Sequence, residues 1–290
     1  MKLFCFGYGF SSSTTADFLR FSFDKTQVFG TVRSEEKAER LRANGITAHL
    51  FDGTAPGLTL GPDLRAATHV VLSIAPGEQG DPALLQHRAD LDAATDLQWL
   101  CYFSTVGVYG DFGGAWIDES APLVPRNDRS DRRVLAEQAW RDYAQERGVP
   151  LTILRLAGIY GPGRSTFDKL RDGTSRRIVK PGQVFNRIHV ADIGRVTGLA
   201  ALARLEGTFN LGDDEPAPPQ VVIEHAAGMI GMELPPAQDF ATADMSPMQR
   251  SFYADNKRVS NQAIKTALGI ELLYPTYREG LASVWEEEKE

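Results

Sequence analysis

Cysteine is scarce in this chain: 290 residues contain two, Cys5 and Cys101. Both lie in apolar runs, KLFCF and LQWLCYFSTVG. They read as reduced core residues of a cytoplasmic protein, and a disulfide-stapled fold is excluded. Histidine is equally sparse, at five scattered positions. With two distant cysteines these give no ligand spacing, so no metal site is expected. No apolar run approaches the roughly 20 residues of a membrane span. No cleavage-site pattern follows the N-terminal strand, so neither a membrane anchor nor a secretory leader is expected. Basic character is also missing: 31 Lys and Arg face 38 Asp and Glu, for a net charge of −7. That balance offers no footprint for nucleic acid. Repeats and low-complexity tracts are absent as well.

What is present begins at residue 2. The strand-like KLFCF runs straight into Gly7-Tyr8-Gly9-Phe10-Ser11-Ser12, after which SSTTADFLRF can open a helix. Strand, glycine turn and helix in this order form a dinucleotide-binding signature, here G-x-G-x-x-S with Ser in the third place. Gly7 permits the tight turn, and Gly9 lets the backbone approach a pyrophosphate. Phe10, Ser11 and Ser12 open the helix, whose first-turn N–H groups and positive dipole end favour phosphate. Ser12 is small enough for helix–strand packing.

Strands and helices then alternate. Residues 26–32, 46–51, 69–76, 97–107 and 150–158 read as strands, and SEEKAERLRANG and DRRVLAEQAWRDYAQERG as helices. In the second of these, Val134, Leu135, Ala139, Trp140, Tyr143 and Ala144 form the apolar stripe. Such alternation predicts an α/β fold with a doubly wound, Rossmann-type parallel sheet. Residues 1–160 are expected to form the nucleotide-binding core. Residues 161–290 complete it through 188–212 and form a small C-terminal substrate lobe, with two helices after residue 213. The binding crevice is expected at the carboxyl ends of the strands.

The end of the second strand selects the cofactor. An acid there would bind the ribose hydroxyls of NAD. The sequence reads Thr31-Val32-Arg33-Ser34 instead. Arg33 can pair with a 2′-phosphate and Ser34 can donate to it, so NADP(H) is expected over NAD(H). The other reading makes Arg33 a surface residue and Ser34 a helix cap, with Glu35 or Glu36 on the ribose. Asp52 can accept from the adenine amino group or cap the turn that follows it. Ile74, Ala75 and Pro76 end the fourth strand beside the expected nicotinamide ribose.

The segments YFSTVGVYGD (102–111), RRVLAEQAW (132–140), LRLAGIYGPGR (154–164), IHVADIG (188–194) and FNLGDDEP (209–216) resemble the extended short-chain dehydrogenase/reductase family. That group contains NAD(P)-dependent epimerases and dehydratases, many acting on nucleotide sugars. The resemblance spans nearly the whole chain in the right order. It implies a Rossmann core, a bound NAD(P), a small-molecule substrate such as a nucleotide sugar, and a homodimer through the helices flanking the fifth strand. It also implies a Ser or Thr at the end of that strand, matched by Thr105, and a Tyr-x-x-x-Lys pair on the next helix. The Lys position falls on Arg133, which can still contact the cofactor ribose. The Tyr position falls on Arg129.

A guanidinium stays protonated near neutral pH and cannot do the work of a tyrosine. No tyrosine lies between Tyr109 and Tyr143, so shifting the frame does not restore the pair. Tyr109 is the nearest replacement, although the matching family tyrosine mostly shapes a loop; His189 looks structural. Arg164, Arg187 and Tyr253 are candidate substrate contacts, the arginines for a phosphate or carboxylate. Two functions follow. One is an NADP-dependent oxidoreductase or epimerase in which Tyr109 or water handles the proton. The alternative is a non-catalytic regulator that senses NADP(H).

Overall fold

The computed structural model describes residues 1–23 and 25–289. Its backbone contacts separate into two compact units. The first comprises 1–108, 125–155 and 193–209; the second comprises 109–124, 156–192 and 210–290.

The first unit carries β1 (Lys2–Phe6), α1 (Phe10–Ser22), β2 (Gln27–Val32), α2 (Glu35–Ala43), β3 (Thr47–Leu50), α3 (Gly61–Arg65), β4 (His69–Leu72), α4 (Pro82–Asp92), β5 (Trp99–Thr105) and α5 (Asp128–Arg147). A seven-stranded sheet runs in the order 207–211, 151–156, β5, β4, β1, β2, β3. β1 pairs in parallel with β2 and β4, β2 with β3, and β4 with β5. Chain order therefore reverses between β1 and β4, the switch point where such sheets open a crevice. β1, β4 and β5 are covered on both faces, which explains their continuous apolar runs. Phe4, Phe6, Val70, Leu72, Leu100 and Tyr102 anchor one core with Trp140 and Tyr143 of α5. Cys5 and Cys101 are free and fully buried.

The buried face of α5 keeps Trp140, Tyr143 and Ala144 of the predicted stripe but departs from it in the first half. Leu135 is 69 % exposed, whereas Ala136 and Glu137 are buried. The reason is a buried charge cluster that periodicity does not reveal. Glu137 accepts from Ser104 Oγ (2.6 Å), from Arg155 Nε (3.1 Å) and Nη2 (2.8 Å), and from Arg141 Nη2 (3.0 Å). These bonds turn α5 by its carboxylate and tie it to β5 and the 151–156 strand. The helix also starts earlier than predicted, capped by Asn127 Oδ1 on Ser130 N–H. Gly148 ends it at φ 62°, as the sequence suggested.

The second unit has its own core. Phe167, Val222, Ala226, Tyr277, Leu281 and Val284 pack together, and a smaller cluster joins Ile178, Ala243 and Tyr253. Among the described residues four helices follow residue 213, not two: 219–230, 247–252, 262–268 and 277–287. Two of them span only six and seven residues, too short for a visible period. Among the described residues no helix is long and apolar enough to cross a membrane, and none of their His, Cys, Asp or Glu side chains cluster as a metal site.

Candidate functional site

In the first unit the glycine turn is braced by its own neighbours. Gly7 adopts φ 85°, in the left-handed region. A Cβ there would lie 3.2 Å from Ile74 Cγ1, so Gly7 and Ile74, at the ends of β1 and β4, meet at the switch point. Gly7 N–H donates to Thr31 Oγ1 (2.7 Å) and Tyr8 N–H to the Thr31 carbonyl (2.7 Å). These bonds pin the turn to β2. Ser12 is fully buried, and its hydroxyl donates to the Gly7 carbonyl (2.6 Å) and accepts from Gly9 N–H (3.0 Å). Ser in the third place thus does what Gly cannot: it clamps the turn across its own mouth.

Gly9 tests the fit of a pyrophosphate. Its φ of −113° suits any residue, and a Cβ would meet only the Gly7 carbonyl oxygen, at 3.9 Å. Neither backbone nor packing therefore requires glycine at this position. The space left open is that of a group approaching from outside, beside the first-turn amides of α1 at Phe10, Ser11 and Ser12. The residues present fit a dinucleotide phosphate.

At the end of β2 the side chains sort by charge. Arg33 is exposed and forms no ion pair among the described residues. Ser34 stands at the cap position of α2, but its side chain makes no capping hydrogen bond. The two acids that would bind a ribose are engaged: Glu35 pairs with Arg42 (2.5 Å) and Glu36 with Arg40 (3.7 Å). Lys37, which sequence reasoning missed, is half-buried, and burial, Arg40 and Arg33 lower its pKa. Its position three residues into a helix of charged residues gave no signal. Asp52 follows the turn-capping alternative: Oδ1 accepts from Thr54 N–H (2.9 Å) and Thr54 Oγ1 (2.8 Å), and those bonds lower its pKa. Ala75 is exposed and Pro76 half-buried beside Ile74.

Arg133 is turned toward β5. Nη1 donates to Tyr102 Oη (3.0 Å) and to the Phe103 carbonyl (2.6 Å). This is a phenol held by a cation, yet Tyr102 is fully buried and burial raises its pKa. The pair fastens α5 to β5. Arg129 is exposed. Thr105 Oγ1 accepts from Gly107 N–H (3.1 Å). A Cβ on Gly107 would sit 3.0 Å from Ser130 Oγ and 3.4 Å from Thr105 Oγ1, so these two hydroxyls converge. The run DRSDRR hides Ser130 among charges, and no spacing rule singles it out.

In the second unit Tyr109 is fully buried and donates to Asn210 Oδ1 (2.7 Å). Asn210 is itself fully buried: its N–H donates to Glu119 Oε1 and its Nδ2 to the Ser260 carbonyl. Tyr109 thereby anchors the loop after β5. His189 is buried between Tyr160 and Tyr274, accepts from Ala191 N–H, and is held neutral because burial lowers its pKa to about 4. Arg187 and Tyr253 meet on the wall of one cavity of about 310 Å³. Arg164 does not line it; it is exposed at the Gly161–Arg164 turn. Lys169 and Arg176 do, although the sequence did not mark them.

Residues 87–204 match the NAD dependent epimerase/dehydratase family. The chain is 26% identical over 260 residues to the Escherichia coli (strain K12) protein YeeZ, covering 86% of this chain and 88% of that protein. A conserved protein of unknown function from Silicibacter pomeroyi DSS is 43% identical, with TM-score 0.88 over 99% of this chain and 98% of that one. The fold is shared with the human epimerase family protein SDR39U1 (isoform 2), solved with NADPH, at 15% identity and TM-score 0.73 over 99% of both chains. With its braced glycine turn at the reversal of a Rossmann sheet, the chain belongs to the NAD-dependent epimerase/dehydratase family of extended short-chain dehydrogenases/reductases.

Proposed function

We propose that the protein is an NADP(H)-dependent oxidoreductase or epimerase acting on a small molecule. The carrying observation is the charge sorting at the end of β2: among the described residues Arg33 has no ion partner, while Glu35 and Glu36 are held by arginines. Arg33, Ser34 and Lys37 would hold the 2′-phosphate, and Gly9 with the first turn of α1 the pyrophosphate. When bound, the nicotinamide supplies or accepts hydride. Thr105 and Ser130 offer hydroxyls that orient a substrate oxygen. Arg133, fixed on β5, keeps the residues around Thr105 in place and contributes a positive field.

The proton is the unusual part. Arg129 and Arg133 stand where the resemblance implies Tyr and Lys, a guanidinium does not cycle a proton, and Tyr109 is buried against Asn210. Water positioned by Thr105 and Ser130 therefore carries it in this reading. The same observation supports a second reading, an NADP(H)-sensing binding protein without turnover. Hydride exchange with any carbonyl or nucleotide-sugar substrate rejects the second; strongly different affinities for NADP⁺ and NADPH, with a co-purifying protein and no turnover, reject the first.

Cofactor choice is tested by titrating NADPH and NADH by calorimetry. NADPH is expected to bind at least about tenfold more tightly, since a hydrogen bond to a charged group contributes roughly 1.5–3 kcal/mol. Lys37→Met narrows that gap by weakening NADPH alone. Equal affinity for the two cofactors overturns the assignment.

A further inference from the structure

The cavity in the second unit has a lopsided wall. Lys169, Arg176 and Arg187 line it, and no Asp or Glu does. None of the three makes an ion pair among the described residues. Arg176 donates to the Asp244 carbonyl, and Arg187 Nη1 donates to the carbonyls of Phe185 (3.0 Å) and Ala217 (3.2 Å). Each guanidinium is thus aimed by backbone, and its charge is left uncompensated. This occurs in a protein of net charge −7, where a chance gathering of unpaired cations on one concave wall is disfavoured.

Arg187 is the sharpest case. Burial lowers its pKa, which means that its charge is incompletely solvated. The Asp213 carboxylate opposes that loss only in part, because burial pushes its own pKa up to about 8. A half-buried cation compensated only in part is stabilised by an incoming anion. Ser175, on the same wall, adds a hydroxyl donor.

The rest of the lining is different. Ile178, Phe185, Val222, Ile223, Met245 and Tyr253 supply apolar and aromatic surface, and Phe185 and Tyr253 already pack edge to face at 5.1 Å. The volume, about 310 Å³, lies at the small end of the roughly 300–1,000 Å³ of ligand pockets. It suits one phosphate and one compact body, and it is small for a nucleoside diphosphate with its sugar.

We propose that this cavity binds a small phosphate monoester with an apolar or aromatic body, its phosphate held by Lys169, Arg176 and Arg187. The proposal deepens the functional reading above and rests on it for the view that this unit carries the substrate.

Phenyl phosphate is the probe, titrated calorimetrically into the full-length protein beside phenol, inorganic phosphate and UDP-glucose. Phenyl phosphate is expected to bind more tightly than the other three and to weaken with rising salt. Lys169→Met removes an exposed cation that holds no other element and weakens phenyl phosphate about tenfold. Arg176→Gln acts in the same direction, and both variants keep their NADPH affinity. Because Arg187 holds two loop carbonyls, Arg187→Met is not relied upon. Binding of phenyl phosphate no tighter than inorganic phosphate, indifference to Lys169→Met, or tighter binding of UDP-glucose each overturns the proposal. NADPH is titrated into the same samples. Loss of NADPH binding with intact phenyl phosphate binding sinks the cofactor reading alone, and the reverse pattern sinks this proposal alone.

Discussion

Asp213 illustrates how one buried side chain sets a pH dependence. It is 1 % exposed, and neither carboxylate oxygen has a hydrogen-bond partner among the described residues. Burial raises its pKa to about 8, against a smaller opposing pull from Arg187. The unfolded chain releases this proton near pH 3.9, the ordinary aspartate value. Between about pH 4 and pH 8 the folded protein therefore holds more protons than the unfolded one, and stability falls as pH rises through that window. Asp213→Asn keeps the shape and removes the charge. The variant is expected to gain stability over the parent, by roughly 1–3 kcal/mol more at pH 8 than at pH 5. Thermal midpoints at the two pH values measure this; an advantage that does not grow with pH shows that Asp213 is ionised in the fold. Glu137 behaves in the opposite sense. Burial alone would raise its pKa, but Arg155, Ser104 and Arg141 together hold it below the usual value. Its contribution is present above the ordinary glutamate pKa and is lost as pH falls through its lowered one. Glu137→Ala, which strands Arg155 in the core, is expected to destabilise by about 3–5 kcal/mol at neutral pH, read as a fall in thermal midpoint that shrinks toward acid pH.

At the scale of elements, α1 is positioned by a helix with notches in it. Helix 190–203 carries Gly194 and Gly198 one turn apart. A Cβ on Gly194 would come within 2.7 Å of the Thr14 backbone, and one on Gly198 within 2.2 Å of the Phe18 ring. The two helices thus approach more closely than any side chain would permit, and α1 in turn carries the glycine turn at its N-terminus. Gly198→Val is expected to cost about 1–3 kcal/mol through overpacking and to weaken NADPH binding by shifting that turn. Gly228→Ala is the control: on helix 219–230 a Cβ meets nothing within 4 Å, so the gain in helix propensity leaves stability unchanged or raised by up to about 1 kcal/mol. Equal losses from both substitutions would refute the packing argument. The sequence revealed helix 190–203 but not its notches, because a close approach is made by two distant segments. For the same reason it singled out the glycine turn, Arg33 and Ser34, yet passed over Lys37 and Ser130. The turn is local chemistry, readable from adjacent residues. The convergence of Ser130 with Thr105 depends on where α5 docks, and that is fixed by the Glu137–Arg155 pair rather than by apolar period.

Across the whole molecule, an acidic surface coexists with two local gatherings of cations, one in each unit: Arg33 with Lys37, and Lys169 with Arg176 and Arg187. Net charge read from composition averages these two gatherings away. Each unit has its own core, so a ligand held by one unit stabilises that unit directly. Binding to the folded state alone adds about 2.7 kcal/mol at a hundredfold excess over Kd. NADPH at a fixed concentration is accordingly expected to raise the midpoint of the first unit's unfolding more than NADH at the same concentration. The difference should shrink as salt rises, because in the proposed site the 2′-phosphate would be held by exposed or half-buried cations, which salt screens within about 10 Å at 0.1 M. Arg33→Ala should bring the two midpoints together by lowering the NADPH value and leaving the NADH value in place. A scan in which Arg33→Ala lowers both equally would mean that Arg33 supports the fold or the adenosine, and the phosphate would have to be sought elsewhere.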